Sequence, residues 1–194
     1  MSLTNEDRAI LKILKNFSFD YNSNNLSKEL GMTSMGSLKM LRRLESGAIV
    51  VSRKVSNLNL FSLNFENQYA KNLAALLLRK EADSSPAYVK RWVSEMRNMG
   101  IADIGVVFGS VLDKGSAARD IDVLFVLKKK YFEKLRMKIK ELNAISDKKI
   151  HPVYQISSDF LKNLEKGDAV LFEAINGVVT FGERDFVNLL EKAK

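Results

Sequence analysis

Two short apolar runs on either side of a glycine-containing spacer constrain the fold of this chain more than any other feature. Residues 104–108 and 121–127 are rich in β-branched side chains and too short for ordinary helices, so each is predicted to be a buried strand. Gly109 follows the first run, and the second run starts between Asp120 and Asp122. Because side chains alternate along a strand, the two aspartates project from the same face. The sequence therefore predicts a carboxylate pair on one side of a buried strand.

This carboxylate pair, together with the turn before it, has the composition of a cation and phosphate site. Two carboxylates this close raise each other's pKa unless a cation lies between them. Oxygen ligands suit Mg²⁺, which proteins hold with one or two carboxylates plus substrate phosphates. Gly109 allows close approach of a backbone, and Ser110 can begin a short helix whose N–H groups attract phosphate. The alternative is a turn followed by an edge strand whose aspartates only face solvent.

The order of these residues resembles a known signature. Phe108, Gly109 and Ser110 are followed by nine residues and then by Asp120-Ile-Asp122-Val. This pattern is similar to the motif of the DNA-polymerase-beta-like nucleotidyltransferase superfamily. The resemblance implies a mixed sheet flanked by helices, with Asp120 and Asp122 as catalytic ligands of Mg²⁺ or Mn²⁺. It also implies that Gly109 and Ser110 hold the phosphates of an NTP from which a nucleotidyl group is transferred.

The resemblance is incomplete at one position. Active members of the superfamily usually present a third carboxylate from the strand that follows the next helix, and here that strand, residues 150–156, contains no Asp or Glu. Asp147 precedes it and Asp159 follows it. Two cations about 4 Å apart need anionic ligands to coexist. We therefore expect slow transfer, or nucleotide binding without turnover. Three side chains share the face on which an acid would strengthen the site: His151, Val153 and Gln155.

Composition excludes several classes of protein. The chain has no cysteine and one histidine, so disulfide frameworks, cysteine-based zinc sites and histidine-rich metal sites are ruled out. The first residues lack a basic segment followed by an apolar one, and no apolar run is long enough to span a bilayer. The expectation is a cytoplasmic protein without membrane contact.

The positive charge is concentrated in the first half of the chain. The net charge is +8, of which residues 1–100 carry +6 and residues 101–194 carry +2. An excess of this kind suggests a module that faces nucleic acid. A solvated basic surface is the simpler alternative.

The N-terminal pattern resembles a winged helix-turn-helix. A helix capped by Thr4 and reaching toward Phe17 is followed by a short helix over residues 26–30, a basic helix over residues 34–45, and a β-hairpin over residues 48–63. The resemblance makes the basic helix a recognition helix for duplex DNA and the hairpin its wing. The predicted DNA-binding residues are Lys39, Arg42, Arg43, Arg53 and Lys54. Winged helices also dock proteins, so a protein partner is the alternative.

The chain is thus predicted to be an α+β protein of two domains. A winged helix-turn-helix of three helices and a hairpin occupies residues 1–66, connecting helices occupy 67–99, and a nucleotidyltransferase-like domain occupies 100–194. In the connecting helices, Tyr69, Leu73, Leu76 and Leu77 are predicted to form a buried face, and Trp92 a core anchor.

Two functions remain open. One is nucleotidyl transfer by an enzyme that also binds DNA. The other is a DNA-binding transcriptional regulator, or an antitoxin-like protein, whose nucleotidyltransferase domain is inactive or only binds nucleotide.

Overall fold

The N-terminal part of the chain folds as predicted from its element order. The structure is a computed structural model, which describes residues 2–16 and 20–194. Three helices, α1 (Asn5–Lys15), α2 (Ser23–Leu30) and α3 (Ser34–Ser46), precede the hairpin strands β1 (Val50–Val55) and β2 (Leu58–Leu63). The order of three helices and a hairpin is that of a winged helix. The expected end of α1 near Phe17 lies outside the described residues.

Local hydrogen bonds explain where these helices begin. The Thr4 hydroxyl accepts from the Asp7 N–H at 3.2 Å, and the Asp7 carboxylate accepts from the Thr4 N–H at 2.9 Å. This reciprocal pair is a capping box. The helix predicted to begin at Leu26 starts earlier, at Ser23, because the Asn22 side chain accepts the first free N–H groups.

The hairpin is antiparallel and regular, from Val50 opposite Leu63 to Val55 opposite Leu58. Its two-residue turn includes Ser56, whose φ is +52°. One face of the hairpin meets α3, because Ser52 Oγ donates to the Glu45 carboxylate at 2.5 Å. The hairpin therefore stands against the basic helix, as a wing does.

Helix α4 (Gln68–Ser84) buries a different face from the predicted one. Tyr69 and Leu76 are 65% and 63% exposed. The helix instead buries a face built mainly of small residues, which are Ala70, Ala74, Ala75, Leu77, Leu78 and Ala82. Alanines let α4 pack closely on α1 and on the C-terminal helix, so close helix approach outweighs the larger side chains of the other face. Helix α5 (Ala87–Arg97) does bury Trp92, as predicted.

The C-terminal part is a four-stranded mixed sheet flanked by helices. Its strands are β3 (Ile104–Phe108), β4 (Asp120–Val126), β5 (Lys149–Gln155) and β6 (Val178–Phe181), in the spatial order β5-β4-β3-β6. Strand β3 is antiparallel to β4 and β6, whereas β4 and β5 are parallel. The helices are α6 (Val111–Lys114), α7 (Phe132–Ile145), α8 (Ser157–Glu165), α9 (Ala169–Ile175) and α10 (Glu183–Ala193).

Strand β5 is the edge of this sheet, as Pro152 predicts. The Ile150 N–H donates to Asn143 Oδ1 at 2.7 Å, and the Ile150 carbonyl accepts from Asn143 Nδ2 at 3.1 Å. Because alternate residues of a strand direct their backbone groups to the same side, Ile150 and Pro152 both face away from β4. The open side of β5 is therefore occupied first by an amide side chain and then by a residue without an N–H.

The N-terminal and C-terminal parts share one hydrophobic cluster, which contains Ile10, Leu14 and Leu78 as well as Phe160 and Phe186. Among the residues that the structure describes, no helix is long and apolar enough to cross a membrane.

The ammonium of Lys15 also joins these parts. It is 5% exposed and donates to the Glu81 carboxylate at 2.6 Å and to the Gly177 carbonyl at 2.7 Å. Burial lowers the pKa of Lys15, and the Glu81 carboxylate opposes that shift.

Candidate functional site

Strand pairing brings the predicted aspartates together with the single histidine of the chain. Asp120 and Asp122 lie at the start of β4 on one face, and His151 of β5 is in register with Asp122. His151 Nδ1 is 3.2 Å from Asp120 Oδ2. One potential ligand atom from each residue lies within 4.8 Å of the other two. We call these three residues the Asp-Asp-His cluster.

The turn at Gly109 lies directly beside this cluster, because Phe108 pairs with Asp122 across β3 and β4. Gly109 has a φ of +75°, and a Cβ at this position would overlap a carboxylate oxygen of Asp122. The residue must therefore be glycine for two independent reasons, backbone conformation and lack of space. Ser110 is half-buried and precedes α6, a single helical turn.

The electrostatics of the cluster favour a cation. Burial raises the pKa of Asp122 above 3.8, and the neighbouring Asp120 carboxylate raises it further, while the charge of His151 opposes the shift. Two carboxylates in this position disfavour each other's ionised form. A cation between them would remove that repulsion.

The third carboxylate that the family resemblance implies is not supplied by β5, and both acids that flank the strand lie elsewhere. Asp147 forms a surface ion pair with Arg91 at 2.8 Å. Asp159 lies on α8 and lines a pocket of about 540 Å³ at the opposite end of β4 and β5, beside Phe132 and Tyr154. His151 occupies the position instead. Sequence reasoning placed it on the correct face but treated it as a neutral bystander, and its odd-even spacing was the available signal.

The five predicted DNA-binding residues fall into two groups. Arg43 pairs with Glu6 at 2.6 Å, and Arg53 pairs with Asp20 at 2.9 Å. Within the described ranges, the other three form no ion pair, and all three are exposed: Lys39, Arg42 and Lys54.

The three unpaired cations lie on two adjoining elements. Lys39 and Arg42 belong to the exposed side of α3, and Lys54 shares with Ser52 the hairpin face that meets this helix. Arg53 lies on the opposite hairpin face. We call Lys39, Arg42 and Lys54 the basic surface.

Comparison with known proteins gives limited information. No protein-family model matches the sequence, and no curated protein matches it. Among solved structures, a zinc-responsive MarR family member, ZitR of Lactococcus lactis, is 13% identical, with 50% of this chain and 74% of that chain covered and a TM-score of 0.31. A double mutant of ZitR is 12% identical, with 50% and 73% covered and the same TM-score. At these values the similarity establishes neither a family nor a function.

Proposed function

We propose that this chain binds duplex DNA through α3 and the β1–β2 hairpin and acts as a transcriptional regulator. The observation that carries the proposal is the basic surface, where Lys39, Arg42 and Lys54 are exposed and have no carboxylate partner in the part of the chain that the structure describes. Cations without a partner are free to neutralise phosphates and release counterions. In winged helices, the helix before the wing enters the major groove.

The test compares cations of the basic surface with matched cations elsewhere. Replacing both Lys39 and Arg42 by Ala is expected to weaken binding to duplex DNA and to lower the slope of log affinity against log salt by about 1.8, or about 0.9 per lost phosphate contact. Fluorescence anisotropy over a salt series measures both quantities. The control replaces Lys90 and Lys134, two exposed lysines of α5 and α7, by Ala.

Arg43→Ala is expected to have a smaller effect than Arg42→Ala, because Glu6 already neutralises Arg43. Equal losses in the control pair and the α3 pair would assign the binding to diffuse charge. Affinity independent of salt and of both pairs would make the winged helix a protein-docking module.

A second candidate function is supported by the Asp-Asp-His cluster. We propose that it binds a divalent cation together with an NTP, as the resemblance to nucleotidyltransferases implies. Asp120 and Asp122 would ligate the cation, which would neutralise phosphate charge, and Gly109 and Ser110 would lie against the phosphates. The donor set fits a cation, because two carboxylate oxygens project from one face into a half-exposed position. Nucleotidyl transfer at this site would require an acceptor hydroxyl and release pyrophosphate.

Thermal unfolding with and without Mn²⁺ and an NTP tests this second candidate. Binding at 100 times Kd stabilises by about 2.7 kcal/mol, and Asp120→Asn with Asp122→Asn is expected to abolish the shift. The control is Asp147→Asn with Asp159→Asn, which removes two exposed carboxylates that flank β5. If no NTP and metal combination shifts the melting temperature, the site does not bind nucleotide. Transfer of a radiolabelled α-phosphate to nucleic-acid or protein acceptors then separates an enzyme from a binding protein.

A further inference from the structure

We propose that His151 is the third metal ligand of the Asp-Asp-His cluster and that the cluster selects borderline transition-metal ions, such as Zn²⁺ and Co²⁺, over Mg²⁺. The inference rests on the second candidate function, since it specifies the ion of that site. It departs from the Mg²⁺ that the family resemblance implies.

The geometry of the cluster suits one shared ion. Two ligands at right angles on an ion with bonds of about 2.1 Å are about 3.0 Å apart. His151 Nδ1 and Asp120 Oδ2 are 3.2 Å apart, and Asp122 offers an oxygen within the same 4.8 Å group. The parallel pairing of β4 with β5 fixes this arrangement, because it aligns His151 with Asp122.

The surroundings leave room for further ligands. The side chain of His151 is 61% exposed and that of Asp120 is 34% exposed, so the cluster opens to solvent on one side. Three protein ligands with an open side are the arrangement of catalytic metal sites, in which water or substrate completes the coordination. An ion held here could therefore also contact a substrate phosphate.

The chemistry of the donor set decides which ion fits. Mg²⁺ requires near-octahedral oxygen coordination and gives up its waters reluctantly. Imidazole nitrogen suits Zn²⁺, Cu²⁺, Fe²⁺ and Ni²⁺, and mixed nitrogen and oxygen sites follow the Irving–Williams order. A site of two carboxylates and one imidazole therefore disfavours Mg²⁺ relative to the later divalent ions. The competing interpretation is that His151 only forms a hydrogen-bonded ion pair with Asp120.

The single histidine allows a direct test by NMR. In untagged protein with ¹⁵N-labelled histidine, every imidazole signal belongs to His151. Zn²⁺ alone is expected to move the Nδ1 resonance to a metal-bound position at stoichiometric concentration, whereas Mg²⁺ alone at a large excess leaves it unchanged. The chain has no cysteine, so Zn²⁺ has no thiolate site that could compete.

Metal selectivity is measured in parallel by isothermal titration with Zn²⁺, Co²⁺ and Mg²⁺ alone. Wild-type protein is expected to favour Zn²⁺ over Mg²⁺ by about 100-fold or more, and His151→Asp to reduce that ratio by at least about tenfold, as expected for loss of a ligand. His151→Ala is the second variant and is expected to weaken Zn²⁺ without strengthening Mg²⁺. Asp147→Asn is the control and is expected to match wild type. Circular dichroism checks that each variant is folded.

Three outcomes would overturn the proposal. These are Zn²⁺ binding that leaves the His151 resonances unchanged, equal Zn²⁺-to-Mg²⁺ ratios in wild type and His151→Asp, and the absence of any divalent ion binding by folded wild type. A protein that binds Zn²⁺ through His151 but gains no stability from an NTP would retain the metal assignment, and only nucleotide binding would fail.

Discussion

Gly109 is the residue on which the geometry of the cluster depends most. Its positive φ and the Asp122 carboxylate beside it both exclude a side chain. The sequence was sufficient to identify this glycine and the two aspartates, because all three belong to one local pattern. The metal-ligand role of His151 was not apparent from the sequence, because it depends on the pairing of strands whose facing residues, Asp122 and His151, are 29 positions apart. No local pattern encodes that register.

Replacing Gly109 by Ala is expected to destabilise the protein more than replacing Gly31 does. Gly31 ends α2 with a φ of +66° and has no atom within 4 Å of an added Cβ, so Gly31→Ala costs only left-handed strain of about 1–2 kcal/mol. Gly109→Ala adds overlap with Asp122, worth about 1–3 kcal/mol more. Urea unfolding measures the difference. Combining Gly109→Ala with Asp122→Ala is expected to recover part of it, and equal costs at the two glycines would disprove the overlap.

At the scale of elements, strand positions and helix positions were predicted closely, whereas the buried face of α4 was not. Periodicity identifies an apolar stripe, but α4 has two, and the sequence does not tell which one meets the core. Tyr69 and Leu76 belong to the larger stripe, yet the alanine stripe is buried, because small residues let α4 approach its neighbours closely. Packing distance between helices is a tertiary property that composition favours only weakly.

The start of α1 gives a prediction about pH. Burial works to raise the pKa of Asp7, but hydrogen bonds from Lys80 and Thr4 and the charge of Lys80 hold it below 3.8. A carboxyl whose pKa is lower in the folded state stabilises the protein above pH 3.8, and this contribution is lost as the pH falls through the folded-state pKa. Asp7→Asn is therefore expected to cost about 1 kcal/mol at pH 7.

The gap in melting temperature between wild type and Asp7→Asn is expected to be constant above about pH 5 and to shrink toward pH 2. Calorimetry across that range measures it. Glu165→Gln removes an exposed carboxylate that forms no ion pair with any described residue, and serves as the control. A gap that does not change with pH would show that the charge of Asp7 does not stabilise α1.

At the scale of the whole molecule, Lys15 and the shared hydrophobic cluster connect the winged helix to the sheet. The boundaries proposed from the sequence were drawn at changes of pattern along the chain. Such changes carry no information about contacts like that between Lys15 and Gly177, which are 162 residues apart. The functional consequence is that the basic surface and the Asp-Asp-His cluster are carried by parts joined through buried contacts.

Lys15→Met is expected to destabilise the protein by about 3–5 kcal/mol, because it leaves the Glu81 carboxylate without its buried partner. Adding Glu81→Leu is expected to recover part of that loss. The control is Lys12→Met on the same helix, where the exposed pair with Glu29 at 3.0 Å is worth less than about 1 kcal/mol. Denaturant unfolding is followed by far-ultraviolet circular dichroism and by the fluorescence of Trp92, the single tryptophan. Similar losses for Lys15→Met and Lys12→Met would contradict the assignment.

The edge of β5 has a consequence for how this protein behaves in concentrated solution. An unprotected sheet edge is a template on which a neighbouring chain can add a strand and begin a fibril. Asn143 already satisfies the backbone of Ile150, and Pro152 has no N–H to offer, so two successive outward positions cannot pair with another molecule. Growth of an intermolecular sheet is therefore interrupted beside His151. The same edge stays accessible to small ligands while it resists self-association.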